Sequence, residues 1–127
     1  MNTADERIAQ FENMAASDPD NEMAHFSLGN AYLQAERFAE AAVSFERCVE
    51  LNPEMSKAYQ LAGESLIKAG WSDKAVEVLN SGYVIAAGRG EQLPRKAMAE
   101  LLEEIGRPVP ELAEEVKAKA AQRAASG

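Results

Sequence analysis

A stack of α-helices without a strand is what this 127-residue sequence predicts. Hydrophobic residues make up 46% of it but aromatics only 6%, and much of the apolar content is alanine. Alanine is the strongest helix former, and its small side chain lets helices pack closely; a β-sandwich would draw on more Val, Ile, Thr and aromatic residues. The five prolines, at 19, 53, 94, 108 and 110, read as boundaries between helices. The sequence also repeats itself. Shifted by 34 residues, Gly29 meets Gly63, Ala24 meets Ala58, Leu28 meets Ala62, Ala41 meets Ala75, Phe45 meets Leu79 and Leu51 meets Ile85. Backwards, Phe45 meets Phe11 and Pro53 meets Pro19. A fixed period of this length is the signature of a repeat stack. The chain length suits one domain with a modest core.

Taken in order, Thr3–Ala16 matches only the second half of a period and predicts a single helix, 3–17, covering the first full repeat. Repeat 1 spans 22–55. Ala24, Leu28, Ala31, Tyr32 and Ala35 recur at helical spacing, and Phe38, Ala41, Ala42, Phe45, Val49 and Leu51 form a second amphipathic set. Asn52-Pro53 ends that helix, because the residue before proline is pushed out of the helical region. Repeat 2 spans 56–89, with helices from Ser56 to Ala69 and from Ser72 to about Ala87. Gly70 stands where a helix end wants positive φ, and Ser72 reads as the next N-cap. Leu93–Ile105 (93–105) is a capping helix with Pro94 in its first turn, where proline is tolerated. Residues 1–106 thus form the repeat domain. Gly106-Arg107-Pro108-Val109-Pro110 breaks the chain, and 107–127 holds that turn and a weakly docked helix or a linker. Its Glu111–Ala125 stretch has a thin apolar side, Leu112 and Val116, and a Glu115–Lys119 pair at i, i+4.

The stretch Glu22–Pro53 resembles a tetratricopeptide repeat. It carries His25, Leu28, Gly29, Tyr32, Ala41, Phe45, Cys48 and Pro53 at the family's offsets. The second repeat supplies Tyr59, Ala62, Gly63, Leu66, Ala75, Leu79, Gly82 and Ala87, and departs from the pattern by lacking the closing proline. The resemblance implies antiparallel helix pairs in a right-handed superhelix, with the small residues at 29, 41, 48, 63, 75 and 82 where helices cross closely. It also implies a concave groove lined by the first helix of each pair. In this sequence those positions are Met23, Phe26, Asn30, Leu33 and Gln34, then Lys57, Gln60, Glu64, Ile67 and Lys68, with Arg95, Met98 and Leu102 from the capping helix.

The net charge of −8 and the absence of a Lys/Arg cluster exclude the basic face expected of a nucleic-acid binder, and an anionic membrane surface is disfavoured for the same reason. No apolar run approaches the ~20 residues of a membrane span. Met1–Gln10 lacks the pattern of a secretory signal. One cysteine, Cys48, fits a reducing compartment and a cytoplasmic location. His25 and Cys48 are the only soft metal ligands, one of each, where a structural zinc site takes four; both sit at core positions of the repeat. Gly88-Arg89-Gly90 lacks the spacing and the Lys-Ser/Thr of a phosphate loop. No nucleophile–base pair stands out, so no catalysis, cofactor or metal is expected.

What remains is binding. Phe26, Leu33 and Ile67 beside an adaptable methionine are unlike a helix face meant only for water, so the expected partner is a protein or peptide; self-association is the alternative. Some family members clamp a chaperone's C-terminal carboxylate. Asn30 and Arg95 match two of those places, while Phe26, Leu61 and Glu91 replace the clamp's Lys, Asn and Lys. Asp5–Phe11, Asp18–Tyr32 and Pro94–Gly106, followed by Pro108-Val109-Pro110, are also similar to the repeat portion of bacterial proteins that carry an iron-trafficking, oxidative-damage-protection-like domain. The Ala124-Ala125-Ser126-Gly127 ending suits a linker.

Overall fold

The apolar spacing of each 34-residue unit folds into two helices joined by a tight turn. The computed structural model describes residues 3–126, apart from the side chains of Glu115, Ala120, Ala124 and Ser126. Seven helices and no strand occur among them: α1 (Thr3–Ser17), α2 (Glu22–Gln34), α3 (Phe38–Leu51), α4 (Ser56–Lys68), α5 (Ser72–Arg89), α6 (Gln92–Glu104) and α7 (Glu114–Ser126). The helices α2/α3 and α4/α5 are the two repeat pairs. α1 covers α2, each following helix through α6 packs on its predecessor, α4 also meets α6, and α7 lies on α5.

The close crossings follow from the small residues. A Cβ on Gly29 would stand 2.8 Å from the Phe45 ring, one on Gly63 would overlap the Leu79 side chain, and one on Gly82 would run into Tyr59 and Met98. Ala41, Cys48 and Ala75 have no accessible surface. Two connected clusters result. Ile8, Leu28, Tyr32 and Phe45 join α1, α2 and α3, and Tyr59, Leu66, Leu79, Met98 and Leu102 join α4, α5 and α6.

The first helix of each unit ends in the same way. Arg37 N–H donates to Tyr32 C=O (2.9 Å), Trp71 N–H to Leu66 C=O (2.8 Å), and Arg107 N–H to Leu102 C=O (2.9 Å). The residue before each donor is left-handed: Glu36 (φ 60°), Gly70 (φ 87°) and Gly106 (φ 70°). This six-to-one bond satisfies a carbonyl that the helix end would orphan. The turn also corrects one expectation. Ser72 is not the N-cap; Trp71 holds that place, without a side-chain cap bond, and Ser72 is the first helical residue. With Trp71 N–H already tied back to Leu66, Trp71 C=O accepts the Ala75 amide (3.0 Å) and the next helix begins at once.

The second helices end differently. α3 stops at Leu51, before Asn52-Pro53, after 14 residues. α5 has no proline there and runs 18 residues to Arg89, where Gly90 (φ 72°) turns the chain. The third first-helix is displaced as a result. Tyr32 and Leu66 are 34 residues apart, but the residue equivalent to Leu66 in α6 is Leu102, 36 residues on.

Beyond α6, Leu112 lies in the connection before α7 and Val116 on the helix, both half-buried. Glu114 and Lys117 pair at 3.5 Å across i, i+3. The Glu115–Lys119 pair lies outside the described side chains. Ala124–Ser126 belong to α7, and Gly127 lies outside the described residues.

Candidate interaction groove

On α2, the positions 23, 26, 30, 33 and 34 fall on one helical stripe, and on α4 so do 57, 60, 64, 67 and 68. All ten reach solvent. Met23 is 52% exposed, Gln34, Lys57 and Lys68 are exposed, and Phe26, Asn30, Leu33, Gln60, Glu64 and Ile67 are half-buried. The apolar members are anchored from below. Phe26 meets Phe45 edge-to-face, with ring centroids 5.7 Å apart, an arrangement favoured by the ring quadrupoles. Leu33 packs against the first cluster and Ile67 against the second. Lys68 lies over the Phe38 ring, 5.4 Å from its centre, and Gln34 accepts a hydrogen bond from Arg7 of α1 (3.0 Å).

The capping-helix residues need correction. Met98 and Leu102 have no accessible surface. They are core residues, because the 36-residue step aligns them with Ala62 and Leu66. Arg95 aligns with Tyr59 and lines a cleft of about 280 Å³ with Ala86, Ala87, Glu91, Leu112 and Lys117, between α5, α6 and α7. The equivalents of the groove stripe on α6 are instead Leu93, Lys96, Glu100, Glu103 and Glu104. All five are exposed, Leu93 at 83%. Sequence comparison at a constant period of 34 misses them; the missing proline at the end of repeat 2 was the signal that the step had changed. With Arg95 turned toward α7, and with Glu91 accepting hydrogen bonds from Ser56 (2.9 Å) and Arg89 (2.5 Å), a carboxylate clamp is not assembled on this face.

His25 and Cys48 have structural surroundings. The His25 ring nitrogen Nε2 is 2.8 Å from Pro19 C=O. One period later Tyr59 donates its hydroxyl to Pro53 C=O at 2.9 Å, so the two residues fix the same inter-repeat turn. The Cys48 thiol donates to Glu22 C=O at 3.3 Å, and burial, with the Glu22 carboxylate nearby, pushes its pKa up to about 12. A thiol so protonated is a poor nucleophile and metal ligand. Among the described residues, no three His, Cys, Asp or Glu side chains are grouped to hold a metal ion, and no helix is long and apolar enough to cross a membrane.

Comparison with known proteins bears on the repeat. A family model for the tetratricopeptide repeat matches residues 23–55. A TPR repeat-containing protein of Pseudomonas aeruginosa, PA0015, is 33% identical over 100 residues, which covers 79% of this chain and 95% of that protein.

Proposed function

The chain belongs to the tetratricopeptide-repeat family, and from that premise we propose that it is a non-catalytic module that binds a protein or peptide in the groove formed by α2, α4 and α6. Repeats of this family generally mediate protein–protein interaction. The observation that carries the reading is the row of half-buried apolar side chains that reach solvent, Phe26, Leu33 and Ile67, interleaved with the amide side chains of Asn30 and Gln60. Apolar positions bury the partner's side chains, and the amides satisfy its backbone. A single small module binds weakly, with an affinity on the order of micromolar. The acidic charge supports a partner other than nucleic acid or an anionic membrane, and the reduced, buried Cys48 supports a cytoplasmic setting.

The test compares three proteins as baits: the native chain, Asn30→Ala/Gln60→Ala, and Val43→Ala. Val43 is 67% exposed on α3, off the groove stripe. Partners should be captured by the native chain and by Val43→Ala, and lost from the double variant. Retention by the double variant would move the binding face elsewhere. Self-association is the other reading; light scattering across a concentration series separates it, since an obligate dimer would favour it. A further alternative is that the chain is the interaction domain of a larger protein related to iron trafficking.

A further inference from the structure

Charge is distributed unevenly along the groove once the 36-residue step is applied. The five stripe residues of α2 (Met23, Phe26, Asn30, Leu33 and Gln34) are uncharged. The stripe of α4 mixes Lys57 and Lys68 with Glu64. That of α6 ends in Glu100, Glu103 and Glu104, with one cation, Lys96. Some carboxylates elsewhere are neutralised within the chain, such as Glu40 by Arg37, Glu46 by Lys74, Glu50 by Arg47, Glu54 by Arg89 and Asp73 by Arg107, while among the described residues Glu36, Glu64 and Glu77 stand singly. Among the described residues Glu100, Glu103 and Glu104 take part in no ion pair or side-chain hydrogen bond. The groove therefore runs from an apolar, uncharged end on α2 to an apolar but unneutralised acidic end on α6, where Leu93 stands 83% exposed.

We infer that the groove takes an extended peptide segment with bulky apolar side chains at one end and Lys or Arg at the other. This rests on the groove reading and gives its partner a chemistry. Taking roughly 10 Å for each step between first helices, a segment crossing from α2 to α6 needs about six residues in extended form. The apolar end lies over Phe26 and Leu33, and the basic end supplies the counter-charge that Glu100, Glu103 and Glu104 lack within the chain. Such pairs steer encounter and fix orientation, and an exposed pair is worth little singly but adds over several.

The probes are fluorescein-labelled, end-blocked hexapeptides titrated by fluorescence polarisation: Leu-Phe-Ser-Gly-Lys-Arg, its reversed order, a neutral form with Gln-Gln in place of Lys-Arg, and an acidic form with Glu-Glu. The basic peptide, in one of its two orders, should bind about tenfold tighter than the neutral form and more tightly still than the acidic one. That preference should shrink as salt rises toward molar concentrations. The variant Glu100→Lys/Glu103→Lys/Glu104→Lys, at exposed sites, should abolish the preference. Phe26→Ala should weaken all forms alike. Equal binding of basic, neutral and acidic forms, still weakened by Phe26→Ala, would overturn the charge assignment and leave the groove reading standing. If no peptide bound, both would fall.

Discussion

Gly63 and Gly88 are both glycines inside helices, yet their surroundings make opposite demands. A Cβ on Gly63 would overlap the Leu79 side chain, while one on Gly88 would meet nothing within 4 Å. Gly63→Leu should destabilise by about 1–3 kcal/mol through overpacking. Gly88→Ala should stabilise by roughly 0.5–1 kcal/mol, because alanine loses less backbone entropy in a helix. Melting temperatures moving in the same direction would show that the helix crossing is misplaced. Glu36 offers a related comparison. It takes the left-handed turn conformation (φ 60°) that Gly70 and Gly106 take at the equivalent places. Glu36→Gly removes the steric cost of that conformation and should stabilise by about 0.5–1 kcal/mol after glycine's own entropy cost. Urea denaturation of both proteins measures it. Phe26 belongs at this scale too. Its ring is half-buried on Phe45, so Phe26→Ala should lower stability in addition to the loss of binding that the proposed groove entails. Tyr32, 6% exposed, should still be the more damaging of the two to truncate, by a few kcal/mol.

Among the elements, α1 is a second-type helix without a first-type partner. Where the repeats have Ala41 and Cys48 at close crossings, α1 has the larger Arg7 and Met14, so its outer side is shaped as a cap. It is held to α2 by Ile8 in the shared core and by two polar contacts, Tyr32 to Glu12 (2.5 Å) and Arg7 to Gln34 (3.0 Å). Tyr32→Phe keeps the ring and removes the first contact, which should cost about 1 kcal/mol. Much of that loss should appear as local opening of the cap. Hydrogen exchange should accelerate in α1 and leave α4 and α5 unchanged; uniform acceleration would mean that α1 does not open separately. At the other end α7 is fastened less deeply. All its described side chains are exposed except the half-buried Val116.

For the molecule as a whole, buried acids set the alkaline limit of stability. The Cys48 thiol rises from 9.0 to about 12 through burial and the Glu22 carboxylate. The Tyr32 hydroxyl rises from 10.0 to about 12 through burial, then its hydrogen bond to Glu12. Above pH 9 the unfolded chain releases these protons while the folded chain keeps them. Stability should therefore be level with respect to these two groups below pH 9 and fall progressively between pH 9 and 12. Cys48→Ala should flatten the lower part of that fall, measured by denaturation at stepped pH. An unchanged profile would mean that the thiol ionises freely in the folded state.

Apart from the stripes on α2 and α4, which the family resemblance implied, the sequence by itself determined the helical class, the 34-residue unit and both repeat pairs. These depend on local propensity and on periodicity along a single helix, which residue identity dictates directly. The family resemblance marked Gly29 and Gly63 as sites of close helix crossing, and the packing supplied their partners, Phe45 and Leu79. The register of α6 was settled only in three dimensions. At a constant period of 34, Arg95, Met98 and Leu102 fall on the surface stripe, although the charged Lys96, Glu100, Glu103 and Glu104 already mark another face as the wet one. The choice was made by how far α5 continues before Gly90 turns the chain. Two extra residues rotate a following helix by about 200° at 3.6 residues per turn, which carries one face into the core and the other to solvent.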